Sequence, residues 1–86
     1  MEIKIKKINP KGIIPTRGSE DAAGYDLYST ENVVILPGMS YKVHTDIALE
    51  IPVGYFGAIF ARSGLSTKRG LRPANCVGVI DPDYRG

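Results

Sequence analysis

The sequence predicts an all-β domain, and three observations carry that prediction. Tyr41, Val43, Thr45, Ile47, Leu49 and Ile51 alternate with Lys42, His44, Asp46, Ala48 and Glu50. A period of two held over eleven residues is the mark of a half-buried strand. Ten glycines and six prolines punctuate the chain with no long helical period between them, as in folds of short strands and tight turns. Hydrophobic residues make up 43% of the 86 positions, which suits a globular chain rather than a disordered one. That length makes one small domain, residues 1–86. A chain so short buries only a little over ~60% of its unfolded surface, so self-association is expected to support it.

Ile3 and Ile5 alternate with Glu2, Lys4 and Lys6 and open the chain as a short strand with one apolar face. Asn9-Pro10-Lys11-Gly12 is a turn. Ile13-Ile14-Pro15 is a brief extended piece whose proline suits a sheet edge. Positions 16–21 are polar and aperiodic, a loop. After the small residues Ala22-Ala23-Gly24, Tyr25-Asp26-Leu27-Tyr28-Ser29 reads as a strand, and the β-branched run 32–36 as another. Pro37-Gly38 is a turn.

The alternating strand 41–51 follows, about twice the usual length, so a bend or bulge is expected within it. His44 falls on its polar face, solvated, with no second histidine or nearby cysteine to complete a metal site. Pro52-Val53-Gly54 is a turn. The run 55–61 is apolar and aromatic, with Gly57 permitting close backbone approach. Between Ser63 as N-cap and Gly70 as stop there is room for about one or two helical turns. Residues 71–80 return to β structure, broken by Pro73.

Composition excludes several classes of function. The net charge is +2 and the basic residues are scattered, which does not make a nucleic-acid footprint. No apolar run approaches the ~18 residues of a membrane span. Met1-Glu2-Ile3-Lys4 lacks the apolar stretch of a secretory signal. The single cysteine, Cys76, makes no internal disulfide, so a reducing, cytoplasmic compartment is expected. Its apolar setting predicts a structural side chain in a strand.

Three segments carry candidate chemistry. The last, Gly78-Val79-Ile80-Asp81-Pro82-Asp83-Tyr84-Arg85-Gly86, reads as a buried strand breaking into a polar turn. Pro82 biases Asp81 toward an extended conformation, so the carboxylate is presented at a strand end with Tyr84 close by. D-P-D alone is ordinary turn chemistry; its upstream company makes it a candidate. Arg62, Ser63 and Gly64 with Lys68 combine charge, a hydroxyl, space and the open N–H groups of a helix start. That is a phosphate cradle in chemical terms, without P-loop spacing. Asp26 is a carboxylate on a strand of otherwise apolar character. It is either a structural acceptor or a holder of the hydrated shell of Mg²⁺, which keeps its waters when phosphate is present. Together the three segments suit attack of water on a nucleotide phosphate.

These segments resemble the motifs of the trimeric-type dUTPase family. Ala23-Gly24-Tyr25-Asp26-Leu27 resembles the first, Arg62-Ser63-Gly64-Leu65 through Lys68 and Gly70 the second, and Gly78-Val79-Ile80-Asp81 with Tyr84 and Gly86 the third. The strand Thr45-Asp46-Ile47-Ala48-Leu49-Glu50-Ile51-Pro52 is also similar, so the resemblance covers essentially the whole chain.

The resemblance implies a β-clip, a distorted jelly-roll barrel, assembled as a homotrimer with sites between subunits. It implies hydrolysis of dUTP to dUMP and pyrophosphate with Mg²⁺. Asp81 would orient and deprotonate the attacking water. Tyr84 would pack on the deoxyribose and exclude a 2′-hydroxyl. Asn75 and the backbone from Val77 to Val79 would face the uracil and sugar. Arg62, Ser63 and Gly64 would hold the phosphates, and Asp26 would bind Mg²⁺ through water. The family continues beyond its third motif with further strands, a fourth motif and a glycine-rich C-terminal arm. The chain is therefore expected to be a C-terminally truncated member that lacks them. A dCTP deaminase-like protein is the neighbouring reading, and Asp81 with Tyr84 argues against it. A non-catalytic dUTPase-fold module, which self-associates or binds a protein partner, is the alternative from another class.

Overall fold

The computed structural model describes residues 1–86. Its elements are β1 (Lys4–Lys7), β2 (Ile47–Glu50), β3 (Gly57–Ile59), α1 (Ser63–Arg69) and β4 (Gly78–Ile80). β1 pairs with β2, and β3 with β4, in two separate two-stranded sheets. Two compact units are present, one of Ile5–Ala48 and one of Met1–Lys4 with Leu49–Gly86.

In the Ile5–Ala48 unit the turns fall where the sequence places them. Gly12 N–H donates to the Asn9 carbonyl at 3.0 Å, and Met39 N–H to the Leu36 carbonyl at 3.0 Å across Pro37-Gly38. Gly38 has φ 79°, the left-handed backbone that the third residue of a type II turn requires after a proline. Two expected strands do not form. The stretch 25–29 contributes one isolated bridge, Thr16 with Asp26. The stretch 32–36 has no ladder, and Val34 is 86% exposed. A β-branched run supplies propensity, but a strand exists only where another segment offers its N–H and C=O groups.

The long alternating strand is corrected in the same way. Only Ile47–Glu50 of 41–51 is a strand. Asp46 has φ 54°, a left-handed residue that ends the extended run, and this is the bend the length foretold. Asp46 is tied down on three sides. Its carbonyl accepts Ile8 N–H at 2.8 Å, its carboxylate accepts the Thr30 hydroxyl, and its carbonyl oxygen sits against Gly12. Beyond the bend Ile47 and Ala48 are both buried, and Ile51 with them. Consecutive strand residues point to opposite faces, so β2 is covered on both faces at its start, where alternation had assigned Ala48 to the polar side. His44 is exposed, as expected, but precedes the strand.

In the other unit β3 and β4 run antiparallel with Gly57 opposite Ile80, Ala58 opposite Val79 and Ile59 opposite Gly78. Each end of the ladder sets a glycine against an isoleucine. A Cβ on Gly57 would lie 3.1 Å from Ile80 Cβ, and one on Gly78 would lie 3.2 Å from Ile59 Cβ. The expected close approach at Gly57 is this packing of branched side chains over bare backbone. The rest of 71–80 is not strand. Pro73 accepts Cys76 N–H at 3.0 Å, and Cys76 takes φ 69°. The expectation of a structural cysteine in a strand is thereby overturned. Cys76 is exposed in a turn.

Candidate functional site

Seven of the eight candidate residues lie in the unit that contains Leu49–Gly86; Asp26 belongs to Ile5–Ala48. Helix α1 begins at Ser63 and is stopped by Gly70, whose φ is 66° and whose N–H donates to the Ser66 carbonyl at 3.0 Å, while Leu71 N–H donates to the Leu65 carbonyl at 3.3 Å. That left-handed stop is the one a C-terminal glycine provides. The N-cap is Arg62 rather than Ser63, and no side chain caps the helix. Ser63 is thus the first helical residue, which corrects the expected boundary by one position. Arg62, Ser63 and Gly64 are all exposed. The first turn carries no acidic residue and the last carries Lys68 and Arg69, so no carboxylate within the helix competes with an anion at its start.

Val79 stands in the middle of β4 and is 63% exposed. Asp81 follows the last residue of β4 and is exposed. Tyr84 N–H donates to the Asp81 carbonyl at 3.1 Å, closing a turn with Pro82 in its second position, where a fixed φ fits. Arg85 donates to the Pro82 and Tyr84 carbonyls at 2.6 and 2.8 Å. The Tyr84 hydroxyl folds back against Gly86, where a Cβ would collide with the ring. Asp81 and Tyr84 are therefore brought together by one hydrogen-bonded turn, as their spacing suggests. Asn75 is exposed, and its carbonyl accepts Val77 N–H at 2.8 Å just ahead of β4.

Asp26 is half-buried and its N–H donates to the Thr16 carbonyl at 2.7 Å. The Thr16 and Tyr28 hydroxyls are hydrogen-bonded to each other. No group of three or more His, Cys, Asp or Glu side chains gathers anywhere in the chain to hold a metal. A lone carboxylate such as Asp26 suffices for Mg²⁺ only where the ion keeps most of its waters.

A model of the dUTPase family matches residues 10–86. The chain belongs to the dUTPase family. The deoxyuridine 5'-triphosphate nucleotidohydrolase of Nautilia profundicola is 46% identical over 86 residues, all of this chain and 61% of that protein. The Candida albicans enzyme of the same name is 46% identical over 84 residues, 98% of this chain and 52% of that one. Among solved structures, the dUTPase of Staphylococcus bacteriophage 80alpha superposes with a TM-score of 0.83 at 33% identity, over 99% of this chain and 54% of that one. The dUTPase from phage phi11 of S. aureus gives 0.85 at 32% identity, over 100% and 55%. This dUTPase-family chain thus spans between about half and three-fifths of its curated relatives. Its fold is that of the dUTPase jelly roll with the sheets incomplete and unclosed.

Proposed function

We propose that this chain carries the nucleotide site of a dUTP diphosphatase and hydrolyses dUTP to dUMP and pyrophosphate. The observation that carries the reading is the turn that joins Asp81 to Tyr84 at the exposed end of β4. It ties the backbones of a carboxylate residue and an aromatic residue together at a strand end, which suits water activation beside a sugar. Asp81 is the general base that takes a proton from water as its oxygen attacks the α-phosphorus; pyrophosphate leaves on the opposite side. Tyr84 packs on the deoxyribose and excludes a 2′-hydroxyl. Asn75 and the backbone about Val79 face the uracil and sugar.

Arg62, Ser63 and Gly64 hold the phosphates through a guanidinium, a hydroxyl and backbone N–H groups. Asp26 holds the water shell of Mg²⁺, which when bound offsets the charge of the triphosphate. Support comes from what relatives bind: the 80alpha dUTPase has been solved with dUpNHpp, and a phi11 structure describes coordination of a structural Mg(II) ion. The chain works as one domain, 1–86, in a cytoplasmic homotrimer.

A second reading has its own observation. Val34, Leu36 and Met39, all in the Ile5–Ala48 unit, are between 65% and 86% exposed, an apolar stretch of the kind that marks interaction sites. A non-catalytic module that self-associates or binds a protein partner would use that surface.

The test is pyrophosphate release from dUTP with Mg²⁺, beside dCTP and UTP. Turnover confined to dUTP, lost by about 10²-fold or more in Asp81→Asn with nucleotide affinity kept, is the expected result. Tyr84→Ala should then admit UTP. Release from none of the three nucleotides would remove the enzymatic reading and leave the second.

A further inference from the structure

We infer that Arg85 is a positioning residue, whose guanidinium clamps the turn 81–84 and so fixes where Asp81 and Tyr84 stand for nucleotide hydrolysis. The inference deepens the proposed function and rests on the roles given there to Asp81 and Tyr84. Strand β4 ends at Ile80, so both residues lie past the last rung of its ladder. One backbone bond, Tyr84 N–H to the Asp81 carbonyl at 3.1 Å, closes the turn, and both residues are exposed. A segment held by an exposed backbone hydrogen bond opens locally at low cost.

Arg85 supplies two further bonds. Its Nη1 donates to the Pro82 carbonyl at 2.6 Å and to the Tyr84 carbonyl at 2.8 Å. The turn's own bond uses the Asp81 carbonyl, so the clamp adds to the turn without competing with it. The proline ring fixes φ at Pro82, but the direction of its carbonyl depends on ψ, which the ring leaves free. Arg85 holds that carbonyl, and with it the carbonyl of Tyr84 at the exit of the turn. Hydrogen bonds from a charged donor are roughly twice as strong as neutral ones. The nitrogen that makes them is spent on backbone, so Arg85 acts through Asp81 and Tyr84. A base and a sugar-facing ring need such support, because a misplacement of about 1 Å can lower a rate by about 10²-fold.

The experiment compares the parent chain with Arg85→Met and Arg85→Lys. It measures pyrophosphate release from dUTP and UTP with Mg²⁺, dUpNHpp affinity by calorimetry, and exchange of the Tyr84 amide. Arg85 is exposed, so both variants are expected to fold with the parent's melting temperature. Arg85→Met keeps an unbranched stem and loses the donors. It should lower kcat for dUTP by about 10- to 10²-fold, weaken the rejection of UTP, quicken exchange of the Tyr84 amide, and leave dUpNHpp affinity unchanged. Arg85→Lys should behave as the parent, since one ammonium can donate to both carbonyls. A guanidinium that instead gripped phosphate would show lost affinity in Arg85→Met and no recovery in Arg85→Lys, which lacks the planar fork; that result would overturn the inference. Equal Tyr84 exchange in the parent and Arg85→Met would overturn it whether or not the chain turns over nucleotide. Faster exchange with kcat and UTP rejection unmoved would also overturn it, marking a merely structural clamp. No release from dUTP by the parent would defeat the proposed function, and the positioning role with it.

Discussion

Gly12 is the residue on which the Ile5–Ala48 unit bears most closely. It is buried, and a Cβ there would run into the backbone carbonyl of Asp46, which cannot swing aside as a long side chain could. That same carbonyl accepts Ile8 N–H. The left-handed bend at Asp46, the Asn9–Gly12 turn and the end of β1 therefore meet on one oxygen atom. Gly12→Ala should destabilise the chain by about 1–3 kcal/mol, the range for overpacking a filled site. The midpoint of urea unfolding reports it; a midpoint equal to the parent's would mean that the carbonyl moves freely. At the candidate site, single residues were legible because turn chemistry is local. Pro82 between Asp81 and Tyr84 announces its turn, and the hydrogen bond between them follows.

The strands are where sequence reasoning and structure part. Gly57 and Gly78 each lie under the isoleucine of the opposite strand. The pairing of β3 with β4 is thus a matter of shape at both ends, and a branched residue at either glycine should pry them apart. Gly57→Val should lower stability by about 1–3 kcal/mol, seen as a lower melting temperature together with faster amide exchange in β4. Faster exchange without a drop in melting temperature would contradict the role given to this pair. The helix was legible to within one residue, because Gly70 is a local signal that needs no partner. The stretches 25–29 and 32–36 were read as strands on propensity, and 41–46 on alternation. None of them has a ladder, because a ladder belongs to two segments and a sequence window shows only one.

The whole molecule exposes 7165 Å² for 9.3 kDa. A folded monomer of that mass is expected to expose about 5,000 Å². The excess is about 2,000 Å² for one chain, more than the roughly 800 Å² that each partner buries in a standard protein–protein interface. Buried apolar side chains are few: Ile47, Ala48 and Ile51. No helix is long and apolar enough to cross a membrane. On the proposed homotrimer, sedimentation at tens of micromolar is expected to give a mass several times that of one chain. A single species at the mass of one chain, with a cooperative melt, would oppose self-association and the trimer with it.

By itself the sequence determined the family, the order of the motif segments, the turns at Asn9, Pro37, Pro52 and Pro82, and the short helix with its glycine stop. Each of these depends on a few adjacent residues whose backbone preferences or chemistry act over a handful of bonds. Tertiary structure alone decided that the eleven-residue alternation is cut at Asp46, that Ala48 is buried with Ile47 and that Cys76 faces solvent in a turn. It also decided that Asp26 N–H pairs with the Thr16 carbonyl and that the Thr16 and Tyr28 hydroxyls meet. These are facts about partners distant in the chain. A segment's own side chains state what it prefers to bury, whereas its partners determine what it can.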